Sequence, residues 1–317
     1  MNSLLKLLIL ISSISLLSCT EDSPAPLRIG TNIWPGYEPL YLAREKNYFN
    51  PDKIRLVEFS SASQVIQAYR NALIDAAALT LDEALLLLEN DEKITIVLVM
   101  DISNGGDAIV SQANINSLSQ LKGKRIGVEN NALGGFVILR ALEIFKIDPN
   151  SVNIIKVDIN EQEKAFTEKK VDAVVTFDPV LSKLTRNGGN IIFDSKQIPG
   201  EIVDVLVVRN QYLKLHRNNV QRLIDAWYKS LDYKVKEPIK AAQILGKRAQ
   251  LNVKETLATY KGLKLPSPEE NIALLLGDSP ELLTSAQALS KTMFKQNLIK
   301  KDINPSVLFK NSTLKHR

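Results

Sequence analysis

Three aromatic residues, Trp34, Tyr37 and Phe177, stand beside carboxylates at points where an apolar run breaks into a helical pattern. Ring faces hold planar or cationic groups, each cation–π contact contributing ~0.5–2 kcal/mol, and a neighbouring carboxylate supplies the opposite charge. Six short segments carry this chemistry: 31–39, 79–83, 101–107, 129–135, 176–179 and 199–204. They contain Glu38, Asp82, Glu83, Asp101, Asp107, Glu129, Asp178, Glu201 and Asp204 but no lysine or arginine, in a chain of formal charge +5. An acid-lined gap favours a cationic or zwitterionic guest, an amine or a protonatable heterocycle, because low dielectric strengthens attraction between opposite charges. Anion binding by backbone N–H groups alone stays open.

Each candidate also has a structural role open to it. In the stretch with Asn32, Trp34 and Tyr37, the Pro35-Gly36 turn can project both rings sideways from a strand end, or the rings can pack in the core. Glu38 precedes Pro39, which suits a helix start, so it either caps the helix or meets the guest. Thr80 and Glu83 fit a capping box, which leaves Asp82 for the guest. Asp107 follows Gly105-Gly106 and either touches the guest or satisfies a hinge backbone. Glu129 and Asn131 precede a helix start, where N–H groups favour anions. Glu129 opposes that use, and Asn131 as N-cap is worth ~1 kcal/mol. Asp178, between Phe177 and Pro179, fits a cap with proline in the first turn. Asp204 or Glu201 falls at the floor of the gap.

Alternating strand and helix patterns must position these residues. Strands are predicted near 27–32, 54–59, 74–79 and 94–100, then near 125–128, 153–157 and 172–176. Helices are predicted near 38–47, 62–70, 82–90, 135–146, 160–168 and 179–187. The order implies α/β units with mostly parallel sheets. Arg28 and Asp75 are 47 positions apart, as are Arg125 and Asp172, so the pattern occurs twice at an offset of 97. Strongly β segments at 107–110 and 202–208 are the expected crossings between two Rossmann-like lobes, 27–107 with 204–317 and 108–203. Beyond Asn210 the chain turns helical, with Val220, Leu223, Ile224, Trp227 and Leu231 on one face. In open α/β sheets, ligands sit beyond the carboxyl ends of strands.

Composition narrows the chemistry further. The 317 residues include one cysteine and two histidines, which exclude an internal disulfide and leave little for a multi-His metal site. Basic residues are scattered, so nucleic acid is not an expected partner. No Walker loop, dinucleotide fingerprint, nucleophile elbow or HExxH motif is present, so neither an enzyme nor a cofactor or metal is expected. Residues 1–18 read as a signal peptide, too short and serine-interrupted to span a bilayer. They end in Leu16-Leu17-Ser18-Cys19, which resembles a lipobox, with Cys19 the expected lipidation site and 19–26 a tether. The expected location is periplasmic, on a membrane anchor.

At GTNIWPGYEPLYLARE, followed in order by IDAAALTLDE, LKGKRIGVE and VDAVVTFDPV, the chain resembles ABC-transporter solute-binding proteins. The family is that of the nitrate, sulfonate and taurine binders, which also includes binders of thiamine-precursor pyrimidines and related hydroxymethylpyrimidine synthases. The resemblance covers roughly 27–230. It implies a type II periplasmic binding-protein fold, here with a helical C-terminal part, and a monomer that closes over a small solute. It also implies delivery to an ABC permease, with nitrate, alkylsulfonate or taurine as alternative ligands and a membrane sensor protein as alternative partner. Two positions depart from the family: Ala72, where glycine is frequent, and Phe177, where sulfonate binders tend to have tryptophan. The synthases' cysteine-rich iron motif is absent, since Cys19 is the single cysteine.

Overall fold

The computed structural model describes residues 26–129 and 132–310. The leader, Cys19 and Asn131 lie outside the described residues. Among the described residues eleven strands form two sheets. They are β1 (Leu27–Thr31), β2 (Ile54–Glu58), β3 (Ala76–Thr80), β4 (Ile94–Ser103), β5 (Asp107–Ser111), β6 (Arg125–Val128), β7 (Asn153–Lys156), β8 (Ala173–Phe177), β9 (Asn190–Asp194), β10 (Val203–Arg209) and β11 (Leu263–Lys264). The first sheet runs β11-β4-β10-β3-β1-β2 and the second β7-β6-β8-β5-β9. Membership therefore changes twice, across 104–106 and across 195–202.

Helices connect the strands. In the first unit these are α1 (Glu38–Glu45), α2 (Ala62–Arg70) and α3 (Leu81–Glu89); in the second, α4 (Ala132–Ile144), α5 (Ile159–Thr167) and α6 (Val180–Arg186). The chain then continues as α7 (Asn210–Lys236), α8 (Pro238–Ala249), α9 (Val253–Thr259), α10 (Pro268–Leu275) and α11 (Glu281–Lys295). The apolar face of α7 buries Val220, Leu223, Ile224 and Trp227 against Leu98, Leu206 and Val208 of the first sheet. Each fully buried side chain of that size contributes roughly 1.5–3 kcal/mol.

The duplication is visible atom by atom. Asp75 accepts from Arg28 Nε and Nη2, both at 2.8 Å, and from the Arg28 amide at 3.1 Å. Asp172 accepts from Arg125 Nε and Nη2 at 3.1 Å and from its amide at 2.8 Å. Each guanidinium also donates to a carbonyl 44 residues on, Ala72 or Lys169. Both carbonyl residues have left-handed backbone, φ 54° and 55°, a region that glycine enters without cost. Ala72 and Lys169 therefore each hold a conformation that side chains other than glycine adopt at a cost. Bonds between charged groups are worth about 1.5–3 kcal/mol. Asp75→Ala is therefore expected to lower unfolding free energy by about 2 kcal/mol in urea titrations, and the more exposed Asp172 by less.

The strands that follow each copy are exchanged. Strand β10 runs antiparallel to β3, pairing Asp204 with Thr80. Strand β5 runs antiparallel to β8, pairing Asp107 with Phe177. Both members of the second pair differ by 97 from their counterparts in the first, so Asp107 corresponds to Asp204 and Thr80 to Phe177. The amides of Arg209 and Gln112, again 97 apart, donate to the carbonyls of Asp75 and Asp172. Each sheet thus borrows a strand from the stretch that follows the other copy, and the two crossings follow from this exchange.

Candidate functional site

A narrow cavity with about 20 Å³ of free space lies where the two sheets meet, lined by Asn32, Trp34, Tyr37, Ala62, Thr80, Glu83, Asp107, Leu133, Phe177 and Asp204. A smaller compartment with about 10 Å³ of free space shares Asp107, Leu133 and Phe177 with it and adds Glu129. Three pairs of lining residues, Asn32 with Glu129, Thr80 with Phe177 and Asp107 with Asp204, are 97 positions apart. The duplication therefore builds the site as well as the scaffold. Both compartments lie at carboxyl ends of parallel strands, where open α/β sheets place ligands.

Trp34 is fixed from several sides. Its Nε1 donates to Asp101 Oδ2 at 3.0 Å, and its ring meets Phe177 of the second sheet edge-on, centroids 5.4 Å apart. Tyr260 donates its hydroxyl to the Pro35 carbonyl at 2.8 Å, which pins the turn that carries Trp34. Two glycines leave room for this arrangement. A β-carbon at Gly36 would sit 1.7 Å from Asp101 Oδ2 and 2.4 Å from Trp34 Nε1, and one at Gly106 would sit 2.9 Å from the Trp34 ring. Gly36→Ala is expected to displace Trp34 and Asp101 at a cost of about 1–3 kcal/mol. Tryptophan fluorescence should shift and guest binding should weaken, while far-UV circular dichroism stays unchanged.

Six carboxylates, those of Asp82, Glu83, Asp101, Asp107, Glu129 and Asp204, are each 4% exposed or less. Burial pushes Asp82 up to about 6, and it pushes Asp101, Asp107 and Glu129 up to about 7. Glu83, buried beside Asp82, and Asp204, buried beside Asp101, are raised well above the usual carboxylate range. Desolvation is the leading cause in every case, reinforced by like charge across the gap: Asp82 on Asp107, Glu129 on Glu83 and Asp107 on Asp204. No lysine or arginine is among the principal neighbours of any of the six. An isolated buried charge is expensive unless it is paired or neutralised. These groups must either hold protons or receive a cation from outside.

Several carboxylate oxygens have no donor facing them: Asp82 Oδ2, Asp101 Oδ1, Asp107 Oδ2, Asp204 Oδ2 and both oxygens of Glu129. Asp101 and Asp204, paired across β4 and β10, can bond to each other once one of them holds a proton. The other Asp204 oxygen accepts from Tyr37 at 2.5 Å. The first amides of α2, at Ala62 and Ser63, lie near enough to Glu129 to favour its ionised form. A helix start that could serve an anion is thus faced by the chain's own carboxylate. Among the described residues no cluster of three or more histidines, cysteines or acids converges to hold a metal ion.

Not every candidate reaches the cavity. Glu38 turns from it by one helical step relative to Tyr37 and takes Arg248 Nη1 of α8 at 2.6 Å, while the guanidinium lies over the Tyr41 ring. Asp178 spends both oxygens on structure, accepting from the Ser182 amide at 2.9 Å and from Thr259 of α9 at 2.6 Å. Glu201 is held by Arg140 at 2.7 and 2.8 Å, away from the gap. Asp82 is buried behind Thr80 and is not a lining residue. Glu83 serves as the cap, its Oε2 accepting from the Thr80 amide at 3.0 Å, and also lines the cavity. Leu133 and Ala62 were without a signal in the sequence. Asp101, not singled out there, proves to be the partner of Trp34.

Two α/β units that exchange strands around a buried gap define the periplasmic binding-protein fold. The alkanesulfonate-binding protein SsuA of Xanthomonas axonopodis pv. citri, bound to MOPS, matches it with a TM-score of 0.77 at 19% identity, covering 89% of this chain and 97% of that one. The chain belongs to the NMT1/THI5-like family, whose model matches residues 34–241. It is 21% identical to the taurine-binding periplasmic protein of Escherichia coli K12, over 80% of this chain and 83% of that protein. A putative binding protein of Brucella abortus strain 2308 is 23% identical over 53% of this chain. The chain spans about half the length of that relative, 54%.

Proposed function

We propose that this chain is the solute-binding component of an ABC importer, tethered on the periplasmic side through lipid on Cys19. Its guest is a small cationic or zwitterionic nitrogen compound, held between lobes 27–107 with 204–317 and 108–203. The observation that carries this reading is the set of four buried carboxylates, Glu83, Asp107, Glu129 and Asp204, that line two joined compartments whose linings hold no lysine or arginine, with Asp82 and Asp101 buried next to them. Trp34, Tyr37 and Phe177 supply ring surface, Asn32 and Thr80 neutral polar contacts, and Asp107, Asp204 and Glu129 the charge. A cationic guest replaces the protons that those groups otherwise need. Binding then favours the closed arrangement of the lobes by differential affinity, as in hinge-type transitions. The taurine-binding relative supports solute binding in general, and a zwitterion would present its ammonium group to the same carboxylates.

Calorimetry against amines, amidines, pyrimidines, taurine, nitrate and alkylsulfonates tests the ligand class. Tight binding of nitrate or an alkylsulfonate, with no affinity for any cation, overturns it. Anchoring is tested separately: Cys19→Ser should move the protein from the membrane fraction to the soluble one.

A further inference from the structure

We infer that the guest presents a planar, N–H-rich cation of the amidinium or guanidinium class, with donor edges that meet Asp107 and Asp204 at once. This rests on the cationic reading above and narrows it. The polar atoms left open around the cavity are mostly pure acceptors: Asn32 Oδ1, Asp107 Oδ2 and Asp204 Oδ2, with both oxygens of Glu129 in the adjoining compartment; the hydroxyls of Thr80 and Thr176, which can donate or accept, complete the set. The N–H and phenolic donors beside them are already committed. Trp34 Nε1 goes to Asp101 and the Tyr37 hydroxyl to Asp204 Oδ1. Asn32 Nδ2 goes to the Ile33 carbonyl at 3.4 Å, and the Thr80 hydroxyl lies beside the carboxylates of Asp82 and Glu83. A guest that fills this space must bring most of the hydrogens itself, since pure acceptors outnumber the two hydroxyls and buried acceptors left unmet are costly.

The placement of the acceptors selects among cations. Asp204 and Asn32 come from the first sheet's unit and Asp107 from the second sheet. The two aspartates are duplication counterparts, each near the start of an exchanged strand. A quaternary ammonium satisfies the aromatic walls but offers no N–H to any acceptor. A primary ammonium sends three N–H bonds from one point and cannot address both sides with paired contacts. An amidinium or guanidinium carries N–H groups on separate edges of one plane, the geometry carboxylates recognise most strongly.

The test is calorimetric titration of the purified protein at pH 8 with methylguanidinium, acetamidinium, ethylammonium and tetramethylammonium. Methylguanidinium and acetamidinium are expected to bind at least tenfold more tightly than ethylammonium, with tetramethylammonium weakest. Asp107→Asn and Asp204→Asn should each reduce that preference to within about threefold. Ethylammonium or tetramethylammonium binding as tightly as the planar cations overturns this inference and leaves the cationic reading standing. Failure of all four to bind, with an anion binding instead, overturns both.

Discussion

Asp204→Asn is expected to weaken binding of a cationic guest about a hundredfold while raising the thermal stability of the empty protein. The two effects share one cause. Asp204 is buried, stands beside Asp101 and Asp107, and has one oxygen without a partner. With the guest present, removing this charge breaks a desolvated ion pair, a loss of about 3 kcal/mol, which is about a hundredfold in affinity. Without the guest, the same substitution relieves desolvation and like-charge repulsion. A neutral amide of equal shape can still accept from Tyr37, so a gain of about 1 kcal/mol or more is expected. Calorimetry and thermal unfolding of the same variant check both arms. Loss of stability with affinity intact would make Asp204 a structural residue and remove it from the site.

The second large effect is the pH dependence of the empty protein. Asp82 is raised from 3.8 to about 6, Asp101 and Asp107 from 3.8 to about 7, and Glu129 from 4.5 to about 7. Between roughly pH 4 and 7 the folded chain therefore binds more protons than the unfolded chain, and stability falls as pH rises through that window. Each pKa unit corresponds to about 1.4 kcal/mol, so even partial relief by opening of the gap leaves a loss of several kcal/mol. At about 2 °C per kcal/mol for a chain of this length, the melting temperature at pH 5.5 should exceed that at pH 8 by roughly 5 °C. Below pH 4 the trend should reverse. The Asp172 carboxyl, held below its ordinary value by hydrogen bonds from Arg125, then takes up its proton and its ion pair is lost. A saturating cationic guest should flatten the slope on the alkaline side. A melting temperature that rises steadily from pH 5.5 to 8 would contradict a proton-holding cleft.

Much of this architecture was legible because the duplication repeats the same physical solution. Arg28 with Asp75 and Arg125 with Asp172 declare the offset, and helix and strand periods fill the intervals to within a few residues. Strand ends followed by turns gave Asn32, Trp34, Tyr37, Thr80, Asp107, Phe177 and Asp204, all of which the fold brings to one cavity. What was hidden depends on contacts remote in sequence. Glu38 meets Arg248 across 210 positions, and no local pattern announces that pair. Glu83 satisfied a capping box so completely that its second position, on the cavity wall, left no residue of signal. The C-terminal part was least legible. Strand β11 has two residues, too few for a period. Helix α10 is tied to the first sheet by Asn271, which accepts from the Val99 amide at 2.7 Å and donates to the Val99 carbonyl at 3.1 Å. One polar side chain completes a strand edge there, where an apolar stripe would have been the readable sign.

The most direct measurement is the number of protons exchanged on binding at pH 7, from calorimetry of a bound cation in buffers of different ionisation enthalpy. Buried carboxylates held near neutrality by desolvation, Asp101, Asp107 and Glu129 at about 7, predict a net release of about one proton or more into solution. No proton exchange, or net uptake accompanying an anion, would contradict the acid-lined, cation-accepting cleft.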